Sequence, residues 1–482
     1  MNFRRALITG IALFALLAAV VSAASPRKWA LVPGATPEQI KDLIRTRDVR
    51  GYYHEDALLI IDENVNEFAD LASQFPEARI LADVEPSRKV YILEKDLLES
   101  DCPGTVRAWG SRIHNALNRY NAEILHSDSN RFIAMLPAMP EVGPSLFRDA
   151  LLRDISLGTE ILTVPEYPLE SLLQRNQAAL RELAATFGTE GQEVDAARFR
   201  LLDQVNEDDL RYYLEYLTGE ASDSPFTTRN AYSTQAHDAA RWIADQYTSM
   251  GFTTTLETFR DDMSPNVVAV LPGRRYPDKF VVLGAHYDSR AIDVNSPTTD
   301  APGANDDGSG TSALLHIADL IRINKVSFDY TVIFTTFSAE EQGLVGSRAY
   351  AKAAKERGDD IVYMFQSDML AFNQEGENFQ TAFPSRYTDS DLVELASRVV
   401  QKYVPEVDVC LTDACCSDHQ AFHELGYLST QIFERCGPIA DNQYHRPGDL
   451  VNRPGFSLEG LKYNTRSLMS LLLVFAQGMI VN

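Results

Sequence analysis

Basic side chains, cysteines and long apolar runs are all scarce in this chain of 482 residues. Only 44 Lys and Arg stand against 68 Asp and Glu, which leaves a net charge of −24 at pH 7. This deficit argues against nucleic acid and anionic lipid as partners, because either would meet a repulsive field on average. A hydrophobic fraction of 45% is too high for a disordered chain, and the length predicts two folded domains.

An apolar run without charged residues occurs at the N-terminus. Residues 1–24 contain two arginines, then the run 6–21, then small residues (MNFRRALITGIALFALLAAVVSAA). This order is typical of a secretory signal peptide, since the run is short for a membrane-spanning helix. The segment has no cysteine to which a bacterial lipid anchor could attach. We therefore predict a secreted or periplasmic protein with no stable membrane anchor after removal of the signal peptide.

Five cysteines are present, and four of them fall within 27 residues. A secreted chain reaches an oxidising compartment, where disulfides are allowed. The clustering predicts a local disulfide among Cys410, Cys415, Cys416 and Cys436, while Cys102 is expected to be free.

The N-terminal domain is predicted to span residues 25–170, followed by a helical linker at 171–200. Short apolar runs alternate with helical patterns in this domain, and the runs lie at 57–61, 90–93, 132–136 and 160–164. The alternation predicts an α/β or α+β fold. Stretches 58–83 and 132–164 both have the pattern strand, helix, strand, which suggests an internal duplication.

The C-terminal domain, residues 201–482, alternates apolar runs with helical patterns. The runs, several of them apolar on both faces, lie at 266–271, 280–284, 330–337, 361–366, 407–411 and 428–433. Helical patterns lie at 236–250, 310–323, 343–357, 389–403, 418–425 and 456–477. Strands buried on both faces are typical of parallel sheets, so the predicted fold class is α/β, with a central mostly parallel β-sheet flanked by helices. Ligands bind such sheets beyond the carboxyl ends of the strands.

Titratable residues follow the predicted strands or open the next helix. They are His286 and Asp288 in GAHYDS, Asp306 in GANDDGSG, Glu340 and Glu341 in SAEEQG, Asp368 in QSDML, and His445 in YHRPGD. Taken singly, each could be a surface residue or a helix cap. Their convergence on one edge of a sheet favours a functional site.

The residue types indicate metal chemistry. Two imidazoles and three carboxylates suit two zinc ions, each with one histidine and one terminal carboxylate, while a third carboxylate bridges both. Such metals sit about 3.5–4 Å apart and share a water whose pKa falls toward about 7. A remaining carboxylate would act as general base and pass the proton to a leaving amine. Asp288, two residues after His286, is predicted to orient that imidazole.

The segments GAHYDS, PGANDDGSG, FSAEEQGLVGS, QSDML, SDHQAF and YHRPGD occur in this order over residues 201–482. They resemble the co-catalytic zinc aminopeptidases of the secreted bacterial leucyl aminopeptidase and aminopeptidase Y type, in the peptidase clan (MH) that also includes the glutamate carboxypeptidase and transferrin receptor ectodomains. The resemblance implies two zinc ions and Glu340 as the general base. It implies as zinc ligands His286, Asp306, Glu341, Asp368 and His445, with Asp306 bridging.

The resemblance fails in the loop before SDHQAF. Better-known secreted members have a cysteine there, and a tyrosine beyond it that helps to stabilise the oxyanion, whereas this chain has Thr412 and Ala414. Tyr444 and Ser417 therefore become the candidates for the oxyanion donor.

The same difference affects the disulfide that the resemblance implies in this loop. Because Thr412 replaces the first cysteine, the disulfide must join other cysteines. Two pairings are expected: Cys410 with Cys416, or Cys415 with Cys436.

The predicted function is that of a secreted zinc-dependent exopeptidase, which hydrolyses N-terminal residues from peptides through a metal-bridging hydroxide with Glu340 as base. A zinc carboxypeptidase of the same fold is an alternative, because basic residues lie near the motifs: Arg290, Arg386, Arg435 and Arg446. A glutaminyl cyclase or a catalytically inactive binding ectodomain fits the full ligand set less well. We expect peptide substrates, a monomer, and an N-terminal domain that is an accessory domain or a pro-domain.

Overall fold

The computed structural model describes residues 27–33, 39, 48–53, 56–62, 65–83, 88–95, 103–119, 122–127, 131–137, 159–163, 170–187, 198–414 and 417–480. The predicted signal peptide, Cys102, Cys415 and Cys416 lie outside these residues. The chain divides into two compact units, residues 1–87 and 88–482. The boundaries drawn from the sequence at 170 and 200 remain predictions.

The first unit contains an antiparallel four-stranded sheet. Its strands are β1 (Arg27–Pro33), β2 (Asp48–Tyr53), β3 (Asp56–Asp62) and β4 (Arg79–Asp83), in the order β2-β3-β1-β4. Helix α1 (Val65–Gln74) connects β3 to β4. Strand β1 pairs with both β3 and β4 and buries Ala30, Leu31 and Val32, so it forms part of the core of this unit.

The second unit begins with a sheet of the same topology. Its strands are β5 (Arg88–Lys95), β6 (Glu123–Ser127), β7 (Arg131–Pro137) and β8 (Thr159–Thr163), in the order β6-β7-β5-β8. Helix α2 (Pro103–Arg119) connects β5 to β6, and helix α3 (Glu170–Thr186) follows β8. Counted from its own first strand, each sheet has the order second, third, first, fourth. This agreement supports the internal duplication, and the antiparallel pairing is typical of an α+β fold.

A six-stranded sheet lies at the centre of residues 201–480. Its strands are β9 (Thr253–Glu257), β10 (Asn266–Leu271), β11 (Tyr276–His286), β13 (Tyr330–Phe337), β14 (Asp360–Ser367) and β17 (Ser429–Ile432), in the order β17-β14-β11-β13-β10-β9. The four strands from β17 to β13 are parallel, and β10 and β9 are antiparallel to their neighbours. The prediction of a mostly parallel central sheet is confirmed.

Hydrophobic cores cover both faces of this sheet, because successive side chains of a strand point to opposite faces. Val281 and Leu283 of β11 lie in the larger core. It also contains side chains of α4 (Glu207–Thr218), α5 (Thr234–Ser249), α6 (Ser309–Ile323), α8 (Ser390–Tyr403) and α10 (Leu458–Phe475). Val282, between them, lies in a second core with α7 (Val345–Arg357) and α9 (His419–His423). Burial on both faces explains the continuous apolar runs.

Helix α10 is almost entirely buried, as the sequence predicts for the C-terminal pattern. It ends at Phe475, two residues earlier than predicted, and strand β18 (Gly478–Ile480) follows and pairs with β12 (Val326–Phe328). Within the described ranges, none of the helices combines the length and the apolar character that crossing a bilayer requires.

A separate parallel ribbon of β15 (Gln380–Pro384) and β16 (Asp408–Thr412) adjoins the central sheet. The predicted strand at 407–411 is therefore present, but it lies in this ribbon. Ala382 of β15 exchanges two backbone hydrogen bonds with Phe433, which directly follows β17. The ribbon is thus joined to the chain segment just beyond the last parallel strand.

A disulfide links Cys410 of β16 to Cys436. Both expected pairings, Cys410 with Cys416 and Cys415 with Cys436, are therefore wrong. The reason is the ribbon, which places β16 beside the segment after β17 and brings the two Cα atoms within 5.7 Å of each other.

Candidate metal centre

The predicted site residues come from the ends of neighbouring parallel strands. His286 is the last residue of β11, and Asp368 directly follows β14. Glu340 and Glu341 follow β13 after a short turn. Because these strands run in parallel, their carboxyl ends bring the four side chains to one edge of the sheet.

Two further residues reach this edge from loops. Asp306 lies in the turn Ala304–Gly308 before α6, and the peptide bond that follows it is cis. His445 lies in the long connection between β17 and α10. Both side chains are drawn to the edge by tertiary contacts, since neither belongs to a strand.

Asp306 lies between the two histidines. Its Oδ1 atom is 3.2 Å from Nε2 of His286, and its Oδ2 atom is 3.1 Å from Nε2 of His445. Asp368 Oδ1 is 3.5 Å from Nε2 of His286, which completes a first cluster of His286, Asp306 and Asp368. Glu341 Oε2 is 3.1 Å from Nε2 of His445, which completes a second cluster of Asp306, Glu341 and His445. The structure thus brings the five predicted ligands together.

Asp307 also reaches the first cluster, where one of its oxygens lies within 4.8 Å of ligand atoms of His286 and Asp368. Its carboxylate, however, accepts hydrogen bonds from the backbone N–H groups of His286, Gly310 and Met369, at 3.2, 2.8 and 3.3 Å. Each oxygen of Asp306 instead faces an imidazole nitrogen. Asp306 therefore faces both clusters, whereas Asp307 supports the surrounding backbone.

Three buried atoms of the clusters have no hydrogen-bond partner within the described part of the chain: His286 Nε2, Asp368 Oδ1 and Glu341 Oε1. Buried polar atoms are nearly always paired, so three unpaired atoms in adjacent ligand groups indicate a binding site. Imidazole nitrogen and carboxylate oxygen are donors that zinc accepts. The residues present therefore fit metal ions.

The electrostatics of the clusters also favour added positive charge. Burial raises the pKa of Glu341 to about 7, and Asp306 adds to the rise. Burial and Arg290 act to lower the pKa of His445, but Glu341 and Asp306 outweigh them and raise it to about 9. Burial also acts against the Asp306 carboxylate, yet the neighbouring imidazoles of His286 and His445 hold its pKa well below the usual range. Bound cations would relieve the repulsion among these carboxylates.

Glu340 lies beside the first cluster without joining it. Its Oε2 atom is 3.9 Å from Nε2 of His286. Burial raises the pKa of Glu340 well above its usual value; His286 opposes this rise and Glu341 adds to it. A carboxylate with a raised pKa at this distance is suited to accepting a proton near neutral pH.

Asp288 connects His286 to the glutamate pair. Its backbone carbonyl oxygen is 3.1 Å and its Oδ1 atom 3.7 Å from Nδ1 of His286. The same carboxylate accepts the backbone N–H of Glu340 on Oδ1, at 3.2 Å, and that of Glu341 on Oδ2, at 3.3 Å. The sequence predicts the first contact, while the second is visible only in the fold.

The two candidates for the oxyanion donor lie in different surroundings. The ring of Tyr444 stacks on the imidazole of His445, with ring centroids 3.6 Å apart. Ser417 is fully buried, and its hydroxyl accepts a hydrogen bond from Nε2 of Gln366 at 3.2 Å. Tyr444 is therefore the candidate that adjoins the second cluster.

Sequence reasoning missed buried polar residues that hold the ligand loops. Asp449 accepts hydrogen bonds from the backbone N–H groups of Asn305 and Asp306. It is the aspartate of YHRPGD, so the motif that contains His445 could have drawn attention to it. Arg229 and Arg453 bind neighbouring loops, but nothing in a single sequence signals that an arginine is buried.

A helix-covered, mostly parallel sheet with two carboxylate–histidine clusters beyond its strand ends defines an α/β protein with a candidate paired metal centre. The chain belongs to Peptidase family M28, whose sequence model matches residues 266–466 and so includes all five predicted ligands. The family resemblance seen in the ordered motifs is confirmed.

Two fungal relatives illustrate the similarity. Leucine aminopeptidase 1 of Paracoccidioides brasiliensis (strain Pb03) is 30% identical over 270 residues, which are 52% of this chain and 67% of that protein. Leucine aminopeptidase 1 of Coccidioides posadasii (strain C735) is 30% identical over 275 residues, 53% of this chain and 68% of that protein.

Among solved structures, LapB from Legionella pneumophila has the same fold. It superposes with a TM-score of 0.57 at 18% identity and covers 81% of this chain and 99% of its own. Residues 201–482 make up only about 59% of the chain, so the likeness extends into the N-terminal region.

Proposed function

We propose that the protein is a secreted, zinc-dependent aminopeptidase that removes residues from the N-termini of peptides. The observation that carries the proposal is the position of Asp306, whose two carboxylate oxygens face two different histidines. One zinc ion would bind the first cluster and a second ion the second cluster, with Asp306 shared. The two relatives named leucine aminopeptidase support N-terminal cleavage.

Zinc, when bound, would supply Lewis acidity toward the peptide carbonyl and lower the pKa of water. The proton transfers belong to Glu340, which takes a proton from the attacking water and delivers it to the nitrogen of the leaving amine. The raised pKa of Glu340 suits both steps, because the group must accept and then release a proton. Asp288 fixes the backbone on which Glu340 stands.

Glu340→Gln tests this assignment, because it removes the base and keeps the shape of the side chain. We expect kcat to fall by about 100- to 10,000-fold, while the zinc content stays unchanged, because Glu340 belongs to neither cluster. Glu356→Gln is the matched control: Glu356 is exposed and pairs with Lys352, so this variant should keep its kcat. Retained activity in Glu340→Gln would remove Glu340 from the mechanism, and full activity in zinc-free protein would contradict the metal pair.

A zinc carboxypeptidase is the second candidate, and Arg290 is the observation in its favour. Nε of Arg290 lies 3.8 Å from Oε2 of Glu341, beside the second cluster, where a guanidinium could bind a substrate carboxylate. Arg435, also considered from the sequence, is already paired with Glu377. Peptides with an acetylated N-terminus or an amidated C-terminus separate the candidates: an aminopeptidase loses activity on the first, and a carboxypeptidase loses it on the second.

Secretion and the role of the N-terminal region also belong to the proposal. The disulfide between Cys410 and Cys436 supports an oxidising compartment. N-terminal sequencing of the secreted protein tests cleavage near residue 24. Residues 25–170 would form an accessory domain or a pro-domain. Removal of the chain before residue 201 tests this: higher activity would indicate shielding of the site, and failure to fold would indicate assistance in folding.

A further inference from the structure

Two buried arginines, Arg229 and Arg453, lie next to the loops that carry the five predicted ligands. Among the hydrogen bonds and ion pairs of the described residues, neither arginine contacts a ligand side chain. Both act on neighbouring backbone or on carboxylates that bind that backbone. Their hydrogen bonds therefore reach the clusters through the loops.

Arg229 is fully buried, and its guanidinium donates to backbone carbonyl oxygens instead of to a carboxylate. Nε donates to Tyr287 at 2.6 Å, Nη1 to Leu217 at 2.7 Å and to Pro302, and Nη2 to Gly303 at 2.9 Å. Tyr287 directly follows His286, and Gly303 is three residues before Asp306. Arg229 therefore ties the loop of His286 to the loop of Asp306.

The contact between Arg229 and the Asp306 loop is close. Gly303 has a φ of 53°, and a Cβ atom there would lie 3.2 Å from Nη2 of Arg229 and 2.5 Å from the carbonyl oxygen of Asp306. Glycine thus lets the backbone approach the guanidinium. The planar guanidinium has five N–H donors and can donate to all four carbonyl groups. A lysine ammonium has only three donors, all on one atom, so it cannot reproduce this set of hydrogen bonds.

Arg453 makes the corresponding connection on the other side. Its side chain is 7% exposed, and Nη2 donates to Asp441 and, at 2.8 Å, to Asp449. The Asp449 carboxylate also accepts the N–H groups of Asp306 and of the residue before it, at 3.0 to 3.1 Å. Asp441 and Asp449 stand on either side of His445 in the sequence. Arg453 therefore ties the loop of His445 to the loop of Asp306.

We propose that the two arginines are positioning residues for different metal clusters. Arg229 sets His286 against Asp306 in the first cluster, and Arg453 sets His445 against Asp306 in the second. The inference rests on the proposed zinc pair. A shift of either loop would change one of the two contacts that Asp306 makes with the histidines, now 3.2 and 3.1 Å long. Groups that fix metal ligands from outside typically change metal affinity by about 10- to 100-fold.

Variants with a single intact cluster separate the two roles. His445→Ala leaves only the first cluster complete, and His286→Ala leaves only the second. Arg229→Lys and Arg453→Lys are placed in both backgrounds, in the full-length protein. Zinc is titrated into each metal-free variant in competition with a chromophoric chelator, and circular dichroism verifies the fold. Arg466→Lys is the matched control: its side chain is 14% exposed and pairs with Glu406, and neither residue belongs to a cluster.

We expect Arg229→Lys to weaken zinc binding by about 10- to 100-fold in the first-cluster background and by less than about threefold in the second. Arg453→Lys should show the reverse, and Arg466→Lys should change neither. Equal losses in both backgrounds would overturn the inference, because a general loss of stability does not distinguish the clusters. Unchanged affinity in both would overturn it as well.

Milder variants keep the test decisive if a lysine variant does not fold. Ser289→Ala removes the hydroxyl that accepts the backbone N–H of Arg229 at 3.0 Å and donates to the carbonyl oxygen of Ala301 at 2.6 Å. Asp449→Asn weakens the second connection, in which Asp449 joins Arg453 to the backbone of Asp306. The same selectivity for one cluster is expected of each. Fewer than two zinc ions in the unsubstituted protein would refute the zinc pair itself, which is a separate readout from the selectivity of the variants.

Discussion

Replacement of Asp288 by asparagine should impair catalysis through Glu340 and leave metal binding largely intact. Each carboxylate oxygen of Asp288 accepts one backbone N–H, from Glu340 and from Glu341. Asparagine has one acceptor oxygen, so its NH2 group would face the second N–H. A lost hydrogen bond to a charged acceptor costs about 1.5–3 kcal/mol.

The stability change in Asp288→Asn should be smaller than that cost. The substitution also removes a buried negative charge that contributes to raising the pKa of Asp418, so weaker repulsion offsets part of the loss. We expect the free energy of unfolding to change by no more than about 2 kcal/mol. The turnover number should respond more strongly, because a catalytic group misplaced by about 1 Å can lose about 100-fold in rate.

The assay compares kcat, KM and zinc content in Asp288→Asn, in Glu340→Gln and in the double variant. We expect kcat to fall by about 10- to 100-fold with zinc content unchanged. If Asp288 acts through Glu340, the double variant should be no slower than Glu340→Gln alone. Multiplying losses would refute this reasoning. Loss of zinc at the first cluster would instead support the orientation of His286 predicted from the sequence. Asp408→Asn, at an exposed position, is the control.

Two further predictions concern stability. Replacement of Cys410 and Cys436 by serine should lower the free energy of unfolding by about 3 kcal/mol, because the disulfide closes a loop with a sequence separation of 26. Calorimetry measures this change. Unchanged stability would mean that the ribbon needs no crosslink. Acid should destabilise the protein through His419, whose pKa is lowered to about 3 by burial and then by His423. Below about pH 6.5 the unfolded chain takes up a proton that the folded chain excludes, so stability is lost as the pH falls, by about 2 kcal/mol at pH 5. Urea unfolding at pH 7 and pH 5 measures how far the free energy of unfolding falls, and this fall should be smaller in His419→Gln than in the parent protein. An identical fall in variant and parent would contradict the assignment to His419.

The buried strands of the central sheet could be predicted closely. The expected run 330–337 is strand β13, and the run 361–366 lies within β14. Their inner residues are buried on both faces, which demands uninterrupted apolar sequence. Helices α6 and α8 were predicted to within one residue, because their apolar residues recur at helical spacing.

The edges of the fold could not be predicted in this way. Strand β9 has the sequence TTTLE and is largely exposed, so burial imposes no pattern on it. Strand β15 was missed, and the predicted strand at 407–411 pairs with it outside the central sheet. Such pairings depend on which segments meet in space, and propensity within five residues does not determine that.

The sequence by itself determined the family, five of the six strands of the central sheet and the five residues of the clusters. These are local features: an apolar run with the polar residue that follows it, or a short motif such as GANDDGSG or YHRPGD. Only the tertiary structure decided that Asp306 faces both histidines, that Asp288 binds the backbone of Glu340, and that Cys410 pairs with Cys436. Each of these contacts joins segments that are distant along the chain, so its geometry follows from how the loops pack and not from any pattern within one loop.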